Sequence, residues 1–273
     1  MPGRWSVSSA LLVLVAISGA MAAELEVDGV LLTVRETGGL DRQGWPVSCG
    51  IPFFDKTLRT DAIEGGRFRL VGADGAAVPC QADVAATWGN YPAGSNGFAK
   101  WVHLHFLADV PAGQTRQYRF EYGQVQASPA RIGLEVDDAA DSVTITTGSG
   151  ARALRLLISK RRFNILDGVW LDVDGDGFSS DDQIVSPREP ANLWVGYDHR
   201  TARVSHATPE VTVEKAGPVL AIVRIRTRLD ARFESVVRIF AYAGSSCVRV
   251  QETLIHGPTG QDRSAVQSQP VVM

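Results

Sequence analysis

Residues 25–34 read LEVDGVLLTV, with Leu25, Val27, Val30, Leu32 and Val34 marking frequent alternate apolar positions. Side chains of a strand point to opposite faces with a period of two, so this stretch reads as a strand with one face toward a core. The same pattern extends along the chain. Arg67–Val71, Ala99–Ala108, Arg116–Tyr122, Ser142–Thr147 and Ala153–Lys160 carry β-branched, aromatic or other apolar residues with partial alternation. Arg203–His206, Val211–Lys215, Val219–Leu229, Glu234–Tyr242 and Cys247–Ile255 continue the series. Turn clusters such as Ala73-Asp74-Gly75 and Pro111-Ala112-Gly113 separate several of them. Beyond the N-terminal segment no sustained helical period with caps is present. Short strands with punctuating turns predict an all-β fold of barrel or sandwich type.

The segment 1–23 reads as a secretory signal. Arg4 supplies the positive start, Ala10–Ala16 (ALLVLVA) the apolar stretch, and Ala20-Met21-Ala22 a small-x-small cleavage site. The apolar run falls short of the roughly 20 residues needed to span a bilayer, and no later segment is long and apolar enough. The mature chain is therefore expected to be secreted or periplasmic, without a transmembrane segment. A net charge of −3 argues against a nucleic-acid binder, and 45% hydrophobic residues suffice for a core. A boundary near Gln124–Arg131 (QVQASPAR) divides a first unit, residues 24–125, from a second, residues 130–257. The polar, patternless tail 258–273 predicts disorder. Of three cysteines, Cys49 and Cys80 are the natural disulfide pair in an oxidising compartment, leaving Cys247 as a small apolar filler at a strand start.

Residues 172–183, DVDGDGFSSDDQ, carry the most specific chemistry. Carboxylates at alternate positions repel one another unless a cation lies between them, and Gly177 in sixth place permits the turn that brings later oxygens round. Asp172, Asp174 and Asp176 occupy positions one, three and five of an EF-hand-like Ca²⁺ loop, and the Phe178 carbonyl occupies position seven. The twelfth residue is Gln183 rather than glutamate, so Asp181 or Asp182 is expected to close the site. The flanks, Gly168–Leu171 and Ile184–Pro187, look extended, which places the loop between strands. The bland alternative is a solvated acidic turn.

Other constellations are weaker. His103 and His105 in WVHLHF share one strand face. A transition-metal site would need a third ligand that spacing does not assign, and a solvated face is the commoner explanation. Trp88, Tyr91, Phe98 and Trp101 cluster around a glycine-rich loop. Trp101 and Phe98 are expected in the core, leaving Trp88 and Tyr91 as candidates for stacking on sugar rings. Asp137, Asp138 and Asp141 read as a solvated turn. No Gly-x-Ser-x-Gly, phosphate-binding glycine loop or Cys-x-x-Cys occurs.

Two groups of stretches carry a family resemblance. The first holds Gly50-Ile51-Pro52-Phe53, Phe68-Arg69-Leu70, Val78-Pro79-Cys80-Gln81 and Lys100-Trp101-Val102. The second holds Val213–Val219 (VEKAGPV) and Arg238–Ser245 (RIFAYAGS). Together they resemble the N-terminal part of the exo-rhamnogalacturonan lyase-like family, over about residues 24–257. The resemblance implies a RIFT-type β-barrel followed by a β-sandwich, with the family's C-terminal α/α toroid absent here. The family's catalytic machinery is expected to need that toroid, so no catalytic residue is carried over, and a separate toroid partner is one expectation. Tyr91-Pro92-Ala93-Gly94-Ser95 departs from the family's Trp-Pro-Asp-Gly-Ser, and the calcium loop looks like an insertion. The expected function is a non-catalytic, exported, calcium-binding β-protein that contacts polysaccharide. The alternatives are a lyase acting on pectic, rhamnogalacturonan-type polymers, with Lys100, Arg238 or Ca²⁺ as cations, and a structural or adhesion module.

Overall fold

The computed structural model describes residues 28–89, 94–123, 125, 133–186, 208–229 and 233–257, and the backbone alone of 12–16, 194–197, 200–203, 264–267 and 271–272. The chain divides into two compact units, Met1–Ala130 and Arg131–Met273. Among the described residues no helix is long and apolar enough to cross a membrane.

The first unit contains β1 (Leu12–Ala16), β2 (Gly29–Arg35), β3 (Arg42–Pro52), the single-turn α1 (Thr60–Glu64), β4 (Phe68–Gly72), β5 (Ala77–Val78), β6 (Cys80–Thr87), β7 (Ala99–Val110) and β8 (Thr115–Tyr122). They form two antiparallel sheets in the orders β1-β2-β8-β4-β5 and β3-β7-β6. Of the expected leader, only Leu12–Ala16 is described, as an edge strand on β2. Alternation on β7 turns Val102, Leu104, Phe106 and Ala108 inward, against Leu32, Val34, Ile51, Leu70 and Phe120 from the other strands. Neither sheet closes on itself among the described residues. The barrel expected for this unit is thus observed as two open sheets contributing to one core. β3 escapes the simple pattern because it carries Pro46 and a bulge between Arg42 and Trp45. Its edge position tolerates both, since an edge strand need not donate from every N–H.

Glu36, buried at 2% exposure, clips the turn after β2 to the β7–β8 turn. Its carboxylate accepts N–H bonds from Gly38, Gly39 and Gly113 at 2.8–2.9 Å. The Gly113 amide first, then those of Gly38 and Gly39, hold its pKa down to about 2.

The pairing expected between Cys49 and Cys80 is corrected: all three cysteines are free. Cys49 lies opposite Leu104 on one side of β7, and Cys80 lies opposite Phe106 on the other. Two strand spacings separate them, about 9.5 Å, beyond the roughly 7 Å that a disulfide spans between Cα atoms. Burial pushes the Cys49 thiol up to about 11 and the Cys80 thiol up to about 12. Cys247 is exposed rather than a filler, with its N–H donating to Ser245 Oγ.

The second unit contains β9 (Glu135–Asp138), β10 (Ser142–Thr146), β11 (Leu154–Ser159), β12 (Gly168–Leu171), β13 (Gln183–Val185), β14 (Trp194–Tyr197), β15 (Arg200–Arg203), β16 (Glu210–Ala216), β17 (Leu220–Arg228), β18 (Phe233–Tyr242), β19 (Val248–His256), β20 (Ser264–Gln267) and β21 (Val271–Val272). One antiparallel sheet runs β13-β12-β11-β10-β9 and another β16-β17-β18-β19-β20. Inside the tail for which composition predicts disorder, β20 and β21 both pair with β19. Val143, Ile145, Leu156 and Ile158 of the first sheet share a core with Val223, Ile225, Val237 and Ile239 of the second. These two layers sharing one core give the unit its sandwich-like character. The other side of β16–β18 carries paired charges. Arg238 grips Glu214 with two bonds of 2.7 and 3.0 Å, and Arg226 grips Glu234 at 2.6 and 2.9 Å. Arg224 reaches Glu210 at 3.1 Å.

Candidate functional site

The acidic loop joins β12 to β13, which pair antiparallel with a bulge at Val169/Trp170. The backbone anchors its root: Asp172 N–H donates to the Ala153 carbonyl, Arg152 N–H donates to the Asp172 carbonyl, and Leu171 N–H donates to the Asp182 carbonyl. Gly175 and Gly177 adopt φ of 86° and 108°, a region that side chains resist. Those two turns fold the loop back, and both N–H groups donate to Asp172, at 2.6 and 3.1 Å. Asp172 is 1% exposed, whereas Asp174 and Asp176 face solvent.

One carboxylate oxygen from each of Asp172, Asp174 and Asp176 lies within 4.8 Å of the others. Two oxygens bound to the same Ca²⁺ at 2.3–2.6 Å are at most about 5 Å apart, so the cluster fits a single ion of that size. The cluster could therefore hold a metal ion. Like charge is concentrated here: repulsion by Asp174, and a hydrogen bond that protonated Asp176 donates to it, are the main causes that raise the Asp176 pKa, with Asp182 and Asp172 adding to it. Asp182 is engaged by Ser179, whose N–H and hydroxyl donate at 2.7 and 2.8 Å, and the Ser179 amide lowers its pKa. The Asp181 carboxylate accepts from the Ser180 hydroxyl at 3.4 Å, and its N–H donates to Ser179 Oγ at 3.1 Å. The Phe178 ring lies under the Arg155 guanidinium, 4.2 Å from its centroid. The structure thus gathers three predicted carboxylates and leaves Asp181 and Asp182 outside the 4.8 Å group.

The aromatic candidates divide differently from expectation. Trp88 is half-buried; its indole N–H donates to the Phe53 carbonyl at 2.9 Å, and Lys100 Nζ stands 4.8 Å from its ring. Tyr91 lies outside the described residues. Trp101, expected in the core, is 40% exposed. The cause is parity: with Val102, Leu104 and Phe106 turned inward, Trp101 shares the outer side of β7 with His103. There its indole covers Gly50, so close that a Cβ at that position would stand 2.2 Å from Nε1. The acidic turn of Asp137, Asp138 and Asp141 is exposed, and two of its carboxylates are paired: Asp138 binds Lys160, and Asp141 binds Arg161.

Register also brings in a residue that the sequence did not suggest. Asp83 on β6 lies opposite His103 on β7. Its carboxylate stands 3.8 Å from His103 Nδ1 and 3.8 Å from His105 Nε2, while Ser48 Oγ hydrogen-bonds His105 Nδ1 at 2.8 Å. Nothing in the linear spacing of Asp83 from the histidines signals this; only strand pairing does.

No family model and no curated protein matches the chain. Among solved structures, the chain is similar to an alpha-mannosidase from Enterococcus faecalis V583, at 13% identity and a TM-score of 0.40. The match covers 83% of this chain and 30% of that enzyme.

Proposed function

We propose that this is an exported, calcium-stabilised β-protein that contacts acidic polysaccharide and does no chemistry of its own. The gathering of Asp172, Asp174 and Asp176 oxygens within 4.8 Å carries the calcium part. Asp172 would anchor the ion from the buried root of the loop, Asp174 and Asp176 would supply the exposed carboxylates, and the Phe178 carbonyl would add a neutral oxygen. Asp182 suits the closing position better than Asp181, because its charge already acts on Asp176. Calcium's taste for six to eight hard oxygens fits this all-oxygen set. Bound there, it would cancel the repulsion and fix the β12–β13 connection.

The polysaccharide part rests on the first unit. Trp88 is held by the Phe53 carbonyl and carries the Lys100 ammonium near its ring, so a sugar stacked nearby would find an adjacent cation for a uronate group. Tyr91 remains a candidate contact from the sequence. The resemblance to exo-rhamnogalacturonan lyases points to pectic polymers as the first ligands to try, and to a RIFT-type relationship for the first unit. Arg238, a nominated lyase cation, is tied up with Glu214. Calorimetry should find one Ca²⁺ per chain, lost in Asp174→Ala. Affinity electrophoresis in rhamnogalacturonan should retard the wild type more than Trp88→Ala, without a rise in ultraviolet absorbance from cleaved polymer. Equal mobility of both proteins would overturn the contact, and rising absorbance would replace it with lyase activity.

A further inference from the structure

We infer that the outer face of β3-β7-β6 is a second metal site, one for a divalent transition ion of the Zn²⁺ class, built by His103, Asp83 and His105. It is independent of the acidic loop, which lies in the other unit and offers oxygen alone.

The donor set separates the two sites chemically. Two imidazoles and one carboxylate suit borderline ions such as Zn²⁺ and give little to Ca²⁺, which prefers many oxygens. Strand geometry delivers the donors. His103 and His105 are two residues apart on β7, so both rings leave the same face, with centroids 6.3 Å apart. Asp83, opposite His103, sends one oxygen toward each ring at 3.8 Å. Ligands on a tetrahedral ion at 2.0–2.1 Å are about 3.4 Å apart. The two 3.8 Å separations run to different oxygens of Asp83, and the three donor atoms do not all lie within 4.8 Å of one another, so ion entry must draw them to one point.

His105 is the fixed member. Its side chain is 10% exposed, and Ser48 Oγ holds Nδ1 at 2.8 Å. In the tautomer that donates from Nδ1 to Ser48, Nε2 carries the lone pair a metal needs, 3.8 Å from the Asp83 carboxylate, and Ser48 is the second partner that orients the ring. His103 is the adjustable member: at 48% exposure its side chain has room to turn. The ring separation is wider than one coordination shell, so metal entry would swing His103 toward His105. Beside it, Trp101 lies over Gly50, the residue opposite His103, and walls one side with an apolar ring. Three protein ligands leave a fourth position for water.

The test uses the mature chain with Ca²⁺ in excess, so that the acidic loop is saturated. Zn²⁺ is titrated by calorimetry, and Co²⁺ by its visible d–d absorption. The expected result is one Zn²⁺ per chain and a Co²⁺ band of a site with nitrogen ligands. His103→Ala and Asp83→Asn should each weaken Zn²⁺ at least about tenfold, and Ser48→Ala by about 10- to 100-fold through loss of His105 orientation. His103 is exposed, so His103→Ala should retain the wild-type circular dichroism. Absence of Zn²⁺ binding to the wild type, or unchanged affinity in His103→Ala, would overturn the assignment.

Discussion

Removing calcium should lower the melting temperature of the second unit by an amount that can be worked out beforehand. At a free concentration one hundred times its Kd, an ion that binds only the folded state adds about 2.7 kcal/mol. For a unit of about 140 residues, each kcal/mol moves the midpoint by roughly 3–5 °C. The wild type should therefore melt roughly 8–13 °C higher in Ca²⁺ than in EDTA, followed by circular dichroism. Mg²⁺ at the same concentration should give a smaller rise, because it demands a tighter octahedral shell. Asp174→Ala should abolish the rise. In EDTA the same variant should melt at or above the wild type, since Asp174 is the leading source of repulsion at Asp176. An equal calcium-dependent rise in Asp174→Ala, or none in the wild type, would refute calcium binding at this loop.

Three further outcomes can be checked independently. Acid should act in opposite senses on the two units. Glu36, with its pKa depressed to about 2 from 4.5, stabilises above the unfolded value, and that contribution fades as pH falls through the folded one. Asp176 in EDTA has its pKa raised above 3.8, so its contribution is full below that value and is lost as pH rises through the folded pKa. Glu36→Gln should flatten the acid limb of the first unit between pH 4.5 and 2, and an unaltered acid limb would disprove the clip. Thiol titration should count three cysteines in denaturant; in the native protein at pH 8 Cys247 should react first, with Cys49 and Cys80 protected by burial and their raised pKa. A count of one in denaturant would restore the disulfide. Phe120→Ala, at a fully buried position, should cost about 3–5 kcal/mol in chemical denaturation, and a loss below about 1 kcal/mol would place the core elsewhere.

Strands that bury one face in an uninterrupted rhythm were legible from the residues. Val219–Leu229 and Glu234–Tyr242 are observed as Leu220–Arg228 and Phe233–Tyr242, because Val223, Ile225, Val237 and Ile239 face the core. β3 and β6 were not. Gly44, Pro46 and Gly50 disguise the first as a loop, and the small residues of Cys80–Thr87 give the second little hydrophobic signal. The acidic loop was legible because its spacing is local. By contrast, the partner of His103 and His105 depends on which residue of β6 lies opposite β7, and a strand does not encode its neighbour's register. Trp101 is instructive in another way: the inward Val102, Leu104 and Phe106 already placed it outside, but aromatic bulk argued more loudly than parity.

The charge ladder on β16–β18 sets a limit on how this unit can meet a charged polymer. Arg224, Arg226 and Arg238 are each answered within a few ångströms by Glu210, Glu214 or Glu234. Neutralised at that range, the six contribute almost no field beyond a Debye length of about 10 Å. A polyanion drifting past would not be drawn in by these arginines. Long-range capture would have to begin at cations that lack such close company, and added salt should weaken the exposed pairs of the ladder itself.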